Sequence, residues 1–205
     1  MQIILDISAN THKNERAYYR KMIDELVKVD TKKHEVILKW QLFNKQGKNY
    51  RPEPFMFIEM AQWSYLTYGY KTTTSVFDLP SLDWLLSWPL PYELPFIKIA
   101  NNRELDWLIG EIPRKYQVYK SVGSWGEWSE DDLDAHTTYL WCVSKYPADI
   151  KDYPDLQFLS DHTVGLELYH RNQPLIWEKH YKLSDSTGLD AGDFAITPEE
   201  LKEIL

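Results

Sequence analysis

The sequence predicts an α/β fold, a compact (β/α)8 TIM barrel in which some helices are shortened or missing. Short apolar segments alternate with segments of helical periodicity, and eight such units fit into the 205 residues. Strands that are apolar on both faces are typical of a parallel sheet. Chemically active side chains follow the ends of these segments, which is where a barrel of parallel strands carries its active site.

The order of the elements supports closure of the sheet. Strands are expected over residues 2–7, 35–40, 72–77, 94–99, 116–120, 138–143, 156–160 and 174–178. Helices are expected over residues 14–29, 55–65, 78–86 and 103–112, with one or two turns over 131–137 and a last helix that Thr197 caps. The connections 144–156 and 165–172 are too short for a full helix. About 25 residues per unit is tight for a fold that usually takes roughly 250.

Composition limits the classes of protein to consider. One domain over residues 1–205 is expected, with 43% apolar and 26% charged residues. The net charge of −8 argues against nucleic-acid binding. No apolar run approaches the roughly 20 residues that span a membrane. The single cysteine, Cys142, lies in an apolar segment and is expected to be a buried thiol. Together these features indicate a cytoplasmic protein.

Cationic and hydroxyl side chains are frequent at the predicted ends of the strands. A buried lysine needs a compensating anion. Lys39 and Lys98 could therefore bind a phosphate or carboxylate ligand, or could form ion pairs with carboxylates of the barrel itself. The candidates at the strand ends are Asp6, Lys39, Ser75, Lys98, Asn101, Ser121, Ser144, Ser160, His162, Glu178 and His180.

Two histidines follow neighbouring predicted strands. His162 comes after the strand over 156–160, and His180 comes after the strand over 174–178. Neutral imidazole nitrogens are common metal ligands, so the pair could share a divalent ion. A lone histidine is more often a structural residue with satisfied hydrogen bonds, and that alternative stays open here.

Short motifs in the same order as the strands resemble the barrel domain of the N-acetylneuraminate (sialic acid) synthase family. The resemblance covers nearly the whole chain, although no single motif decides it. Its segments are 4–10, 38–41, 75–78, 97–100, 121–123, 142–147, 160–163, 178–181 and 198–201. Within them, Ser160-Asp161-His162-Thr163 and Glu178-Lys179-His180-Tyr181 match the family's last two motifs most closely.

The resemblance implies an enzyme that condenses phosphoenolpyruvate with a sugar aldehyde, assisted by a divalent metal such as Mn²⁺ or Mg²⁺. It implies His162 and His180 as metal ligands, and it places Asp6 near the sugar or the attacking water. Asp190 or Asp193 would correspond to the family's acid after the last strand, and Asp190 is preferred. The implied catalytic residues are Asp6, Lys39, Lys98 and Glu178, and the implied substrate-binding residues are Ser75, Asn101, Ser121, Ser144, Tyr146, Ser160 and Asp190.

The chain also departs from the family. Asn101-Asn102-Arg103 replaces Ser-Gly-Glu after the fourth strand, and Thr11 stands where histidine is common. No small C-terminal antifreeze-like domain is expected, whereas in the family that domain completes the sugar site across a homodimer. A barrel that has lost turnover and binds a phosphorylated or acidic sugar, or a protein partner, is therefore the alternative. The related sugar-acid synthases that also use phosphoenolpyruvate fit less well, because their Lys-Pro-Arg strand signature is absent and Lys39 is followed by Trp40-Gln41.

Overall fold

Eight parallel strands close into a barrel in the order of the chain. The computed structural model describes residues 1–8, 15–42, 53–123 and 136–205. The last strand returns to the first, where Gln2 pairs with Ile176 and Asp6 with His180. The strands are β1 (Gln2–Asp6), β2 (Glu35–Leu42), β3 (Lys71–Val76), β4 (Ile97–Ile99), β5 (Val118–Val122), β6 (Thr137–Cys142), β7 (Phe158–Asp161) and β8 (Ile176–His180). The predicted fold class is confirmed.

Among the described residues, the first three α-helices have 9–15 residues and the last three have 4–6. They are α1 (Arg16–Val29), α2 (Pro54–Tyr68), α3 (Leu79–Ser87), α4 (Leu108–Glu111), α5 (Glu167–Asn172) and α6 (Pro198–Leu201). The predicted last helix with Thr197 as its N-cap is confirmed, and Thr197 forms a capping box with Glu200. No helix in the described ranges combines the length and apolar character that a membrane crossing requires.

One predicted helix is wrong in its extent. Residues 103–112 form a 3-10 turn, Arg103–Leu105, and then the single turn of α4. The buried Lys120 explains the break, because its ammonium group binds the carbonyls of Ala100 and Asn102 and the carboxylate of Asp106. The connection 144–156 holds only a 3-10 turn, as expected. Of the predicted turns over 131–137, residues 131–135 lie outside the described residues.

Alternation along each strand points one set of side chains outwards to the helices and the other set into the barrel. On β2, Trp40 packs outwards against Tyr19 and Phe57, with ring centroids 4.4 and 5.9 Å away. Lys39 and Gln41 therefore face inwards, because successive side chains on a strand point to opposite faces. Both faces of the strands are buried, as expected for a parallel sheet.

The barrel interior has two layers. An apolar layer fills the end at which the strands begin, and it consists of Ile4, Ile37, Phe96, Tyr119 and Leu140. The next inward-facing residue on these strands lies two positions further along, and it carries a polar group in cases such as Asp6, Lys39 and Ser121. The apolar layer closes the barrel at one end, so that the polar groups collect at the other end, which we call the mouth.

A second buried polar cluster lies outside the barrel wall, between β7 and β8. The Lys179 ammonium group is 3.0 Å from Oδ2 of Asp161, and neither side chain is exposed to solvent. Trp177 Nε1 donates to the same oxygen at 3.0 Å, and Lys179 also donates to the carbonyl of Thr163 at 2.6 Å. Because these bonds satisfy the buried charges, they fix the turn that follows β7.

We expect Trp40→Ala to destabilise the protein strongly. Trp40 is fully buried between β2 and the helices α1 and α2, and truncation of a buried tryptophan costs about 3–5 kcal/mol. Urea unfolding measures the loss. Trp107→Ala is the matched control, because Trp107 is 54% exposed and its loss should change the free energy of unfolding by less than about 0.5 kcal/mol. Equal effects of the two changes would contradict this view of the core.

Candidate active site

A cavity of about 840 Å³ opens at the mouth of the barrel. All the predicted site residues line it, and of the two alternatives after the last strand Asp190 does so whereas the exposed Asp193 does not. These lining residues are Asp6, Lys39, Ser75, Lys98, Asn101, Ser121, Ser144, Tyr146, Ser160, His162, Glu178, His180 and Asp190. The structure therefore brings the predicted set together, while the roles given to its members stay predictions.

Lys39 forms a buried ion pair with Asp6. Its Nζ is 2.5 Å from Oδ2 of Asp6, and it also donates to Ser75 Oγ at 3.1 Å. Burial alone would lower the pKa of Lys39, but the negative charges of Asp6 and Glu178 outweigh it and leave that pKa raised. Burial alone would raise the pKa of Asp6, and the charges of Lys39 and His180 lower it instead. Both groups of the pair are therefore ionised at neutral pH.

Lys98 forms the second buried pair, with Glu178. Its Nζ donates to Glu178 Oε1 at 3.2 Å and to Ser121 Oγ at 2.6 Å, and Ser160 Oγ donates to the same Glu178 oxygen at 3.0 Å. Burial lowers the pKa of Lys98, which Glu178 only partly offsets. Burial would raise the pKa of Glu178, but the charges of Lys39 and Lys98 prevail and lower it to about 2.

Carboxylates of the barrel thus compensate both lysines, which is one of the two interpretations left open by the sequence. Glu178 Oε1 is 3.7 Å from Lys39 Nζ, so this carboxylate lies between the two ammonium groups. With Asp190, three carboxylates face two lysines. Burial would lower the pKa of His180, but the charges of Asp190 and Asp6 raise it, as expected where negative charge is in excess.

The two histidines lie side by side with their ring centroids 5.3 Å apart. His162 Nδ1 is 2.7 Å from the carbonyl oxygen of Val143 and donates to it, since a carbonyl only accepts. His180 Nδ1 is 3.5 Å from Oδ2 of Asp190. Neither Nε2 atom has a hydrogen bond among the described residues. An imidazole whose Nδ1 faces an oxygen is typical of a metal ligand, so both Nε2 atoms are candidate ligand atoms for a divalent ion.

A second set of donor atoms lies beside the pair. Ligand atoms of Asp6, His180 and Asp190 all lie within 4.8 Å of one another. Gln41 Nε2 already bridges the two carboxylates, with bonds of 2.9 Å to Asp6 Oδ2 and 3.0 Å to Asp190 Oδ2. Because Asp6 Oδ2 also accepts from Lys39, these oxygens have partners of their own, unlike the Nε2 atoms of the histidines.

Gln41 is a site residue that the nominated set lacked. It follows Lys39 by two positions on β2, so strand alternation alone places its side chain in the barrel beside the lysine. That signal was present in the sequence. By contrast, Phe194 comes from the segment after β8, and no periodicity marks it.

Phe194 and Tyr146 form an aromatic wall beside the histidines. The Tyr146 ring lies 4.3 Å from that of His162, and the Phe194 ring meets His180 edge-on at 5.1 Å. Tyr146 is 55% exposed although it contacts buried groups, so it forms part of the rim. An apolar wall next to polar groups is usual in small-molecule sites.

Asn101, which follows β4, binds the segment at the end of β6. Its Nδ2 donates to the carbonyl of Cys142 at 3.1 Å and to Ser144 Oγ at 3.0 Å. A Cβ added at Gly123 would lie 2.8 Å from this Nδ2, so a larger residue there would displace the Asn101 amide. Asn101 thereby holds Ser144 at the cavity. Cys142 is buried and has no disulfide partner, as predicted, and it also lines the cavity.

Comparisons with known proteins bear on the fold. No protein-family model matches the chain, and no curated protein matches it. The chain is similar to the crystal structure of a protein of Chromobacterium violaceum that is named as spore coat polysaccharide biosynthesis protein E, with a TM-score of 0.74 and 19% sequence identity. The match covers 98% of this chain and 72% of that chain. At this identity the likeness establishes a shared barrel fold.

Proposed function

We propose that the protein is a phosphoenolpyruvate-dependent synthase of the sialic acid synthase type, which joins phosphoenolpyruvate to a sugar aldehyde. One observation carries the proposal: Lys39 and Lys98, each beside a serine hydroxyl, converge inside a cavity at the mouth of a (β/α)8 barrel. Ammonium and hydroxyl groups are suited to phosphate and carboxylate ligands. The similar structure from Chromobacterium violaceum is named for polysaccharide biosynthesis, which agrees with a sugar acceptor.

Phosphoenolpyruvate would bind by taking the place of the carboxylates that now neutralise the two lysines. Its phosphate and carboxylate would take up the hydrogen bonds of Lys39, Lys98 and the serines Ser75, Ser121, Ser144 and Ser160. Asp6 and Glu178 form ion pairs with the two ammonium groups. The donor must therefore displace these carboxylates or share the ammonium groups with them. Excess negative charge from the donor then favours simultaneous binding of a cation.

His162 and His180 would hold that cation, a Mn²⁺ or Mg²⁺ ion, through their Nε2 atoms. When bound, the ion acts as a Lewis acid on the aldehyde oxygen. Asp190 faces Nδ1 of His180 at 3.5 Å, and Val143 accepts from Nδ1 of His162. These two partners keep the rings in the orientation that a ligand needs.

The reaction forms one bond between carbons and breaks the link to phosphate. C3 of phosphoenolpyruvate attacks the aldehyde carbon, the aldehyde oxygen becomes a hydroxyl, water adds at C2, and inorganic phosphate leaves. Asp6 and Gln41 line the same space as the histidines, so they would orient the sugar or the attacking water. With its lowered pKa, Asp6 is an acceptor of hydrogen bonds at neutral pH.

Phosphate release tests the proposed reaction. Purified protein is incubated with phosphoenolpyruvate, Mn²⁺ and each member of a panel of sugar aldehydes, N-acetylmannosamine included. At least one aldehyde should give phosphate and a new sugar acid in equal amounts. If none consumes phosphoenolpyruvate although calorimetry detects its binding, the alternative of a binding barrel without turnover is favoured.

We expect Lys98→Ala to weaken phosphoenolpyruvate binding by roughly tenfold or more, the scale of one lost charge-assisted contact. Isothermal titration calorimetry measures the change. Lys28→Ala is the control, because Lys28 is exposed on α1 and pairs with Glu25. Unchanged affinity in Lys98→Ala would remove this residue from the donor site.

We expect the double change His162→Ala and His180→Ala to abolish metal-dependent activity and Mn²⁺ binding, because both proposed ligands are lost. Electron paramagnetic resonance of free Mn²⁺ measures the binding directly. His170→Ala is the control, since His170 is half-exposed and pairs with Glu203. If His162→Ala alone keeps full affinity while Asp6→Asn loses it, the ion belongs instead to the cluster of Asp6, His180 and Asp190.

A further inference from the structure

A buried phenol outside the cavity ties together the ends of β6 and β7. Tyr153 is 3% exposed and follows the 3-10 turn Ile150–Asp152. Its hydroxyl accepts from the backbone N–H of His162 at 3.0 Å and from that of Val143 at 3.3 Å, and it donates to the carbonyl of Ser160 at 2.9 Å. A phenol offers one hydrogen-bond donor and a small number of acceptor sites, so the three bonds use the hydrogen-bonding capacity of this hydroxyl.

These bonds reach the His162 ring by two routes. The first is direct, because the hydroxyl fixes the backbone nitrogen of His162 itself. The second passes through Val143, whose N–H binds the hydroxyl and whose carbonyl accepts from Nδ1 of the His162 ring. The position of the imidazole and its rotation therefore both depend on one oxygen atom of a residue that does not itself line the cavity.

The segment that carries Tyr153 is itself held from the α5 side. Arg171 Nη2 donates to the carbonyl of Tyr153 at 2.7 Å, and Asn172 Nδ2 donates to the carbonyls of Pro154 and Leu156 at 2.9 Å each. These bonds fasten a connection that contains no α-helix. They give the phenol a fixed support, as a positioning group requires.

We propose that Tyr153 is a positioning residue for metal binding: its hydroxyl sets the imidazole of His162 for a divalent ion. This inference rests on the proposed function, in which His162 and His180 hold that ion. Partners of metal ligands commonly alter metal affinity by about 10–100-fold when they are removed. Tyr153 is one step further from the ion than such partners, but it supports both the backbone and the ring partner of His162.

The test is Tyr153→Phe, which removes one oxygen atom and keeps the ring. We expect the Kd for Mn²⁺, measured by electron paramagnetic resonance, to rise about tenfold. Tyr70→Phe is the matched control, because Tyr70 is also buried and its hydroxyl donates to Asp30 at 2.6 Å, away from the cavity. Both variants should melt at a lower temperature, and Tyr70→Phe alone should keep the wild-type Kd.

Two outcomes for the variants would overturn the inference. One is a Kd for Tyr153→Phe within twofold of the wild type, and the other is an equal rise in Tyr70→Phe, which would indicate general loosening. A wild-type protein that binds no Mn²⁺ would remove the metal site and this inference together. If the wild type binds Mn²⁺ but no aldehyde consumes phosphoenolpyruvate, the proposed reaction fails while the result for Tyr153 stands.

Discussion

A buried row of alternating charges determines what the rest of the mouth can do. Asp6, Lys39, Glu178 and Lys98 follow one another at 2.5, 3.7 and 3.2 Å. Removing one partner of a buried ion pair costs about 3–5 kcal/mol, because the other charge is left uncompensated in a medium of low dielectric. The four residues therefore depend on one another, and each is held by the barrel strand that carries it.

The row also limits the ligands that the cavity can accept. Its lysines are already neutralised, so an anion gains little from them unless it replaces a carboxylate or arrives with a cation. His162 and His180 lie next to the acidic end of the row, with Asp190 beside His180. Anion and cation would each improve the binding of the other, and such coupling is reciprocal. Such coupling would give the proposed synthase a physical reason to need a metal together with its anionic donor.

Much of this arrangement could be predicted from the sequence, since it follows from strand alternation. A lysine near the end of an apolar strand points into a barrel if the residues on each side of it are apolar, as Leu38 and Trp40 are around Lys39. The same rule would have found Gln41. It could not find Tyr153 or Phe194, whose contacts cross between connections of irregular backbone. Nor could it show that Lys120 divides the helix predicted over 103–112, because that depends on contacts between β5 and the segment that follows β4.

The shortened connections explain why a few buried polar side chains fix the ends of the strands. In a barrel with full helices, the helices cover the outer wall and fix the ends of the strands. Here α5 has six residues, and the connection between β6 and β7 has no α-helix. Buried polar groups fix the strand ends instead, since Asp161 and Lys179 hold the turn after β7, and Tyr153 holds the ends of β6 and β7. Hydrogen bonds fix direction as well as distance, whereas apolar packing does not. A barrel shortened in this way can therefore keep its histidines in place with few residues, provided that each of these bonds is made.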